Sequence, residues 1–407
     1  MNHKPEVRCQ SFIDDWRTAT LDEVLTRMYN GQTPLRFIPE YWNGTINWIS
    51  SGELNRGTIN ATVEKITHAG LQSANLEIVP KGTFLMSMFG LEAPMTRGNC
   101  AILGIDSAIN QAIMALFPDE KQLDSGFLFQ WYSSVGNEYG LKYTQGTKQQ
   151  NYKAEIIRTL PISLPELEEQ RKIAIILSKL DQLIVFQQKK IDTLISVRKS
   201  MLLKMFPRNG SKGPEIRFKG FAGEWAEKRF GDLYQRVNER NDGSFGKDKW
   251  ISVAKMYYQD PDKVTSNNID TRTYVMRVGD IAFEGHSNAE FRYGRFVEND
   301  IGPGVISELF PIYRPICEYD LKYWKYAIQL EHIMGKIIAS CITSSGTSSN
   351  KLVENDLIER IMLVPCIEEQ KQIGLFFANM DKEIGLQRKR LEMYQKYKQG
   401  LLARMFI

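Results

Sequence analysis

Two stretches of the chain carry apolar residues at alternating steps of three and four over about four heptads. The first runs through Leu177, Leu180, Ile184, Gln187, Ile191, Leu194, Arg198, Met201 and Met205. The second runs through Phe377, Met380, Ile384, Gln387, Leu391, Tyr394, Lys398, Leu401 and Met405. That spacing keeps one face of a helix apolar and is the seam of a coiled coil. Both copies interrupt the seam at the same two places, once with glutamine and once with a cation. A polar seam residue costs stability and specifies register and partner, so the shared defects predict that the two helices pack on each other. Pro165 and Pro365 suit a first helical turn, where a missing N–H costs nothing, and the glutamates that follow sit where the helix dipole favours negative charge. The first helix should stop before Pro207, leaving residues 208–214 as a linker. At about 40 residues, each helix is a rod about 60 Å long.

The two stripes belong to a duplication. The sequences starting at Leu164 and Val364 align without a gap at an offset of 200, matching Pro165 with Pro365, the EEQ triplets, Asp181 with Asp381, and Met205-Phe206 with Met405-Phe406. Ahead of them, Arg8, Phe12 and Trp16 match Arg217, Phe221 and Trp225 at an offset of 209. WIS at Trp48 answers WIS at Trp250, the turn at Gly82 answers that at Gly279, and Gly146-Thr147 answers Gly346-Thr347. The chain therefore reads as residues 1–162, a globular domain; 163–207, a long helix; 208–362, a second globular domain; and 363–407, a second long helix. Within the domains, strand-like runs at 83–88, 280–283 and 361–364 alternate with helical stretches at 108–116 and 321–329, giving an α+β fold.

Composition narrows the class only a little. The 407 residues are 43% hydrophobic and 25% charged, with a net charge of +4, which permits phosphate binding without demanding it. Cys9, Cys100, Cys317, Cys341 and Cys366 are scattered and odd in number, against a disulfide framework or zinc site. No apolar run approaches membrane-spanning length and no leader peptide opens the chain, so a cytoplasmic protein is expected.

The order of a tryptophan-containing lead-in (Trp16, Trp225), WIS, a glycine turn into a strand, a GT loop, and [LV]P-x-[LI]-EEQ-x-x-I opening a helix that ends L-x-[KR]-M-F occurs twice. In this the chain resembles the specificity subunits of type I restriction–modification systems, over essentially its whole length. The resemblance implies two target-recognition domains, each reading one half of a bipartite site in double-stranded DNA. It implies an antiparallel, pseudo-twofold pair of helices that sets the spacer and docks two modification (methyltransferase) subunits, with restriction (translocase–nuclease) subunits joining them. S-adenosylmethionine, ATP and magnesium are then expected on the partner subunits and none on this chain. Because the two domains differ in sequence, the site should be asymmetric.

Base reading needs Arg, Lys, Asn, Gln, Ser or Thr on loops that enter a groove, and glycine lets backbone approach phosphate. The candidates in the first domain are Arg97, Asn99, Lys142, Tyr143, Gln145, Gly146, Thr147, Lys148 and Gln149. In the second they are His286, Asn288, Arg292, Tyr293, Arg295, Ser344, Ser345, Gly346, Thr347, Ser348, Asn350 and Lys351. Glu168, Glu169, Gln170, Glu368, Glu369 and Gln370 are assigned to partner docking, since duplication preserved them where packing alone tolerates drift. No glycine-rich strand–turn for S-adenosylmethionine, NPPY-like loop or GxxxxGK[ST] phosphate cradle is present. His3, His68, His286 and His332 lack ligand spacing, and the PDEK and PDK sequences at Pro118 and Pro261 read as surface turns. Two rivals stay open: a self-contained DNA methyltransferase or nuclease, against which the missing motifs speak, and a coiled-coil scaffold that never touches DNA.

Overall fold

The computed structural model describes residues 4–406 apart from 10, 92, 94, 95, 145–150, 209, 266–268, 270, 271 and 344–348. The chain divides into two compact units, Met1–Lys189 with Lys389–Ile407, and Lys190–Arg388. Both are α+β, and each contains a segment of either long helix, Leu167–Lys204 and Ile367–Met405. These helices start two residues after the prolines: Glu166 and Cys366 accept the first backbone bonds, from Gln170 and Gln370, so Pro165 and Pro365 precede the first turn rather than occupy it. Every described residue of the two predicted seams is buried or half-buried, including Gln187 and Gln387.

The first unit is built on a five-stranded sheet ordered Leu25–Asn30, Ile113–Pro118, Phe84–Ser87, Cys100–Leu103 and Thr58–Ile59. Strand residues alternate between two cores. Phe84, Met86, Met114 and Leu116 join Trp16, Phe127, Trp131, Leu177 and Phe406, while Leu85, Ala101, Ile113 and Ala115 join Ile49, Ile59 and Ile109. The helix expected over 108–116 is absent; strands Ala108–Ile109 and Ile113–Pro118 occupy it. A strand covered on both faces is apolar at every position, which removes the period of two and leaves a run that a buried helix matches equally well. Conversely, Ser125–Lys142 is an 18-residue helix with no counterpart in the sequence reading. Its Gly136 and Gly140 weaken helix propensity and are there for packing: a Cβ on Gly140 would lie 2.4 Å from Cγ of Arg97, and one on Gly98 would lie 2.6 Å from the carbonyl carbon of Gly136.

The second unit repeats the plan with a four-stranded sheet ordered Tyr234–Val237, Ile312–Pro315, Ile281–Glu284 and Arg295–Glu298. The strands expected at 83–88, 280–283 and 361–364 and the helix at 321–329 are present as Phe84–Ser87, Ile281–Glu284, Ile361–Val364 and Leu321–Ala327. Matched positions keep matched contacts. Arg17 pairs Leu164 and Ala226 pairs Val364 at the same register of two antiparallel ribbons. Gly82 and Gly279 both sit at φ +88°, a turn conformation that favours glycine. Val7 N donates to Arg404 O, and Ile216 N donates to Lys204 O, each at 2.9 Å.

Candidate nucleic-acid interface

Each long helix opens on two glutamates that face opposite ways, since neighbouring residues on a helix differ by about 100° in direction. Glu168 and Glu368 are exposed, whereas Glu169 and Glu369 are 0% exposed. A buried carboxylate requires a partner, and in both units it is the arginine of the lead-in segment. Arg8 Nε and Nη2 donate to the two oxygens of Glu169 at 2.8 Å, and Arg217 Nε and Nη2 to those of Glu369 at 2.7 Å. These are fork-to-fork, charge-assisted pairs; hydrogen bonding to Glu169 raises the pKa of Arg8 against the opposing effect of burial. Gln170 donates to Gln122 O and Pro165 O and accepts from Asp124 N, and Gln370 donates to Pro365 O. The docking assignment is therefore corrected for Glu169, Gln170, Glu369 and Gln370, which hold their own units together. Of the six, only Glu168 and Glu368 face solvent, and Glu168 is paired with Lys172 of its own helix at 3.1 Å.

Among the first-unit reading candidates, Arg97 is buried: its Nε donates to Leu91 O at 2.9 Å and its stem lies on Gly140. It supports the loop and is not offered to a groove. Asn99, half-buried, accepts from Arg56 Nε at 3.2 Å. Lys142 is exposed at the end of the Ser125–Lys142 helix, its Nζ 5.2 Å from the ring centre of Tyr143. Loop 97–99 packs on this helix, so these four residues share one end of the unit. Gln145, Gly146, Thr147, Lys148 and Gln149 lie outside the described residues.

In the second unit the structure gathers two distant segments. His286 bridges Ser349, Asn350 N donates to Gly285 O at 2.9 Å, and Asn350 Nδ2 donates to Ser287 Oγ at 3.2 Å. Gly285 allows this approach, because a Cβ there would stand 2.1 Å from Asn350 O. His286, Asn288, Arg292 and Lys351 are exposed around the junction, although the Asn288 Oδ1 is occupied by the backbone N–H groups of Glu290 and Phe291. The Arg292 guanidinium is 5.4 Å from the ring centre of Tyr293. Arg295 points inward, pairing with Glu284 at 2.9 Å and donating to Ala254 O at 2.5 Å. Ser344, Ser345, Gly346, Thr347 and Ser348 lie outside the described residues.

Burial, then Arg208 and Lys336, push the pKa of His332 down. Among the described residues no group of three or more His, Cys, Asp or Glu is placed to hold a metal ion, and no helix is long and apolar enough to cross a membrane. The sequence reading did not single out Arg8 and Arg217 as the partners of the buried glutamates, or Asp181 and Asp381 as the partners of the seam cations. The signal was there: oppositely charged residues recur at repeat-matched positions in both cases.

Residues 13–195 match the family model described as the type I restriction modification DNA specificity domain. The chain resembles type I specificity subunits. It is 26% identical over 237 residues to the type I restriction enzyme MjaIX specificity subunit of Methanocaldococcus jannaschii, covering 54% of this chain and 51% of that protein. To the MjaVIII specificity subunit of the same organism it is 29% identical over 196 residues, 48% of this chain and 43% of that protein. The chain thus spans about half the length of the curated relatives it matches. The crystal structure of a type I S subunit from M. genitalium shares the fold, with a TM-score of 0.60 and 14% identity over 99% of both chains.

Proposed function

We propose that the chain is the DNA sequence-specificity subunit of a type I restriction–modification complex. In this reading, the domains at 1–162 and 208–362 each recognise one half of an asymmetric bipartite site. The helices at 163–207 and 363–407 pair as an antiparallel, pseudo-twofold coiled coil that sets the spacer and docks two methyltransferase subunits. Restriction subunits join that core, S-adenosylmethionine, ATP and magnesium reside on the partners, and this chain contributes binding rather than catalysis in the cytoplasm.

The observation that carries the reading is the duplicated clamp. The same arginine–glutamate pair ties each sequence-divergent domain to the start of a long helix, Arg8 to Glu169 and Arg217 to Glu369. A protein that needs two different recognition surfaces on one repeated frame is built this way. The helix pairing is supported by two repeat-matched contacts, Lys398 with Asp181 in one unit and Arg198 with Asp381 in the other. Duplex DNA has local dyads, so a repeated frame presents its domains naturally to two half-sites.

The test is replacement of residues 1–160 by the first domain of another type I specificity subunit, followed by mapping of methylated positions in a host that supplies the partners. One half-site is expected to change and the other to persist; changes in both halves count against modular reading. A scaffold without DNA readout would show no salt-sensitive binding to a bipartite duplex.

A further inference from the structure

In the first unit, residues 29–41 and 73–75 enclose an open groove of about 650 Å³ lined by Tyr29, Gln32, Thr33, Leu35, Tyr41 and Asn75, among others. The loop along its rim is tied to the domain by several contacts. The indole N–H of Trp48 donates to Gln32 O and that of Trp42 to Leu35 O, both at 3.1 Å. The Arg36 guanidinium lies 4.0 and 4.9 Å from those two ring centres and is paired with Glu64. Gln32 N donates to Ile109 O, and a Cβ on Gly31 would fall 1.9 Å from that same oxygen, so position 31 has room for glycine alone.

This tethered loop holds apolar side chains out in water: Leu35 is 52% exposed and Phe37 79%. Inside the groove, Gln32 and Asn75 are exposed, and among the described residues neither side-chain carboxamide has a hydrogen-bonding partner. A solvated connection needs no such buttressing, whereas a recognition surface gains from being held in its bound shape before contact. A carboxamide is the side chain that matches the N6 donor and N7 acceptor of adenine in the major groove, and an apolar side chain matches the thymine methyl.

We propose that the groove lined by Gln32, Leu35 and Asn75, with Phe37 exposed two residues further along the same loop, is the surface by which the first unit reads an A·T-containing step of its half-site in the major groove. The carboxamides take the adenine edge and the rim packs on the thymine methyl. This rests on the DNA-reading function proposed above. It also moves the reading surface of this unit away from Arg97, whose side chain is committed to the interior.

The experiment selects duplexes from a random library with the full-length chain and with Gln32→Ala, Asn75→Ala and Phe37→Ala variants, all at exposed positions. Wild type is expected to select a bipartite duplex with an adenine in one half-site. In that half-site, 7-deazaadenine should weaken wild-type binding about tenfold and leave the carboxamide variants indifferent. Uracil in place of thymine should weaken wild type and not Phe37→Ala. If wild type selects no bipartite duplex, the DNA-reading function itself fails. If it does, and all three variants keep its consensus and its response to both analogues, this groove is not the reader.

Discussion

Lys398 donates to Asp181 with 2.5 Å between Nζ and Oδ1, and the other carboxylate oxygen of Asp181 accepts from Gln130 Nε2 at 2.9 Å. One aspartate on the first long helix thus receives the seam cation of the second and an amide from the globular domain. The arrangement recurs in the other unit, where Asp381 accepts from Arg198 at 2.6 Å and from the Tyr326 hydroxyl at 2.8 Å. The cations that interrupt both apolar stripes are therefore matched, and Lys398 is only 14% exposed. Asp181→Ala leaves that ammonium half-buried without its carboxylate and should destabilise the chain by about 1–3 kcal/mol. A double-mutant cycle with Lys398→Met, followed by denaturant unfolding, should return a coupling of about 1–2 kcal/mol. Additive losses would mean that the pair contributes nothing.

The clamps predict a larger effect. Glu169 is wholly buried, and its two oxygens are held by Arg8. Arg8→Ala strands a buried charge and should cost about 3–5 kcal/mol, with Arg217→Ala doing the same for the second unit. Combining Arg8→Ala with Glu169→Gln removes the stranded charge, so the double variant should recover part of the loss. Thermal unfolding of the three variants measures this.

A pH dependence follows from Glu298, 1% exposed between the strands and aromatic rings of the second unit. Burial pushes its pKa up to about 9, against the opposing hydrogen bond from the Tyr319 hydroxyl. An unfolded carboxyl titrates at about 4.5, so between that pH and about 9 the folded chain holds a proton that the unfolded chain has released. Stability from this group is complete below the lower value and falls as pH rises through the window, by up to about 1.4 kcal/mol per unit. Glu298→Gln keeps an acceptor for Tyr319 and loses the titration. It should unfold like wild type near pH 4.5 and at higher urea concentration than wild type at pH 8.

The proposed ruler is tested by length. One heptad added to each long helix extends it by about 10 Å, equivalent to about three base pairs, and the preferred spacer should lengthen accordingly. Methylation mapping reads the spacer directly; an unchanged spacer would refute the ruler.

Sequence alone determined the duplication, the two long helices and their seams, because these rest on periodicity and on residue identity at a fixed offset, both of which are local properties. It also placed the strands at 83–88, 280–283 and 361–364, where a glycine turn or proline punctuates a short β-branched or aromatic run. Other decisions belonged to the tertiary structure. The run at 108–116 is strand because it is covered on both faces, and Ser125–Lys142 is helix although its glycines argue otherwise, because Arg97 and Gly98 need the space they leave. Glu168 and Glu169 are the same residue type one position apart, yet one meets solvent and the other Arg8. Arg97 and Arg295 carry the chemistry of base readers and spend it on Leu91, Glu284 and Ala254. Composition states what a side chain is able to bind; only the packing around it fixes which way it points, and burial energy, not residue type, makes that choice.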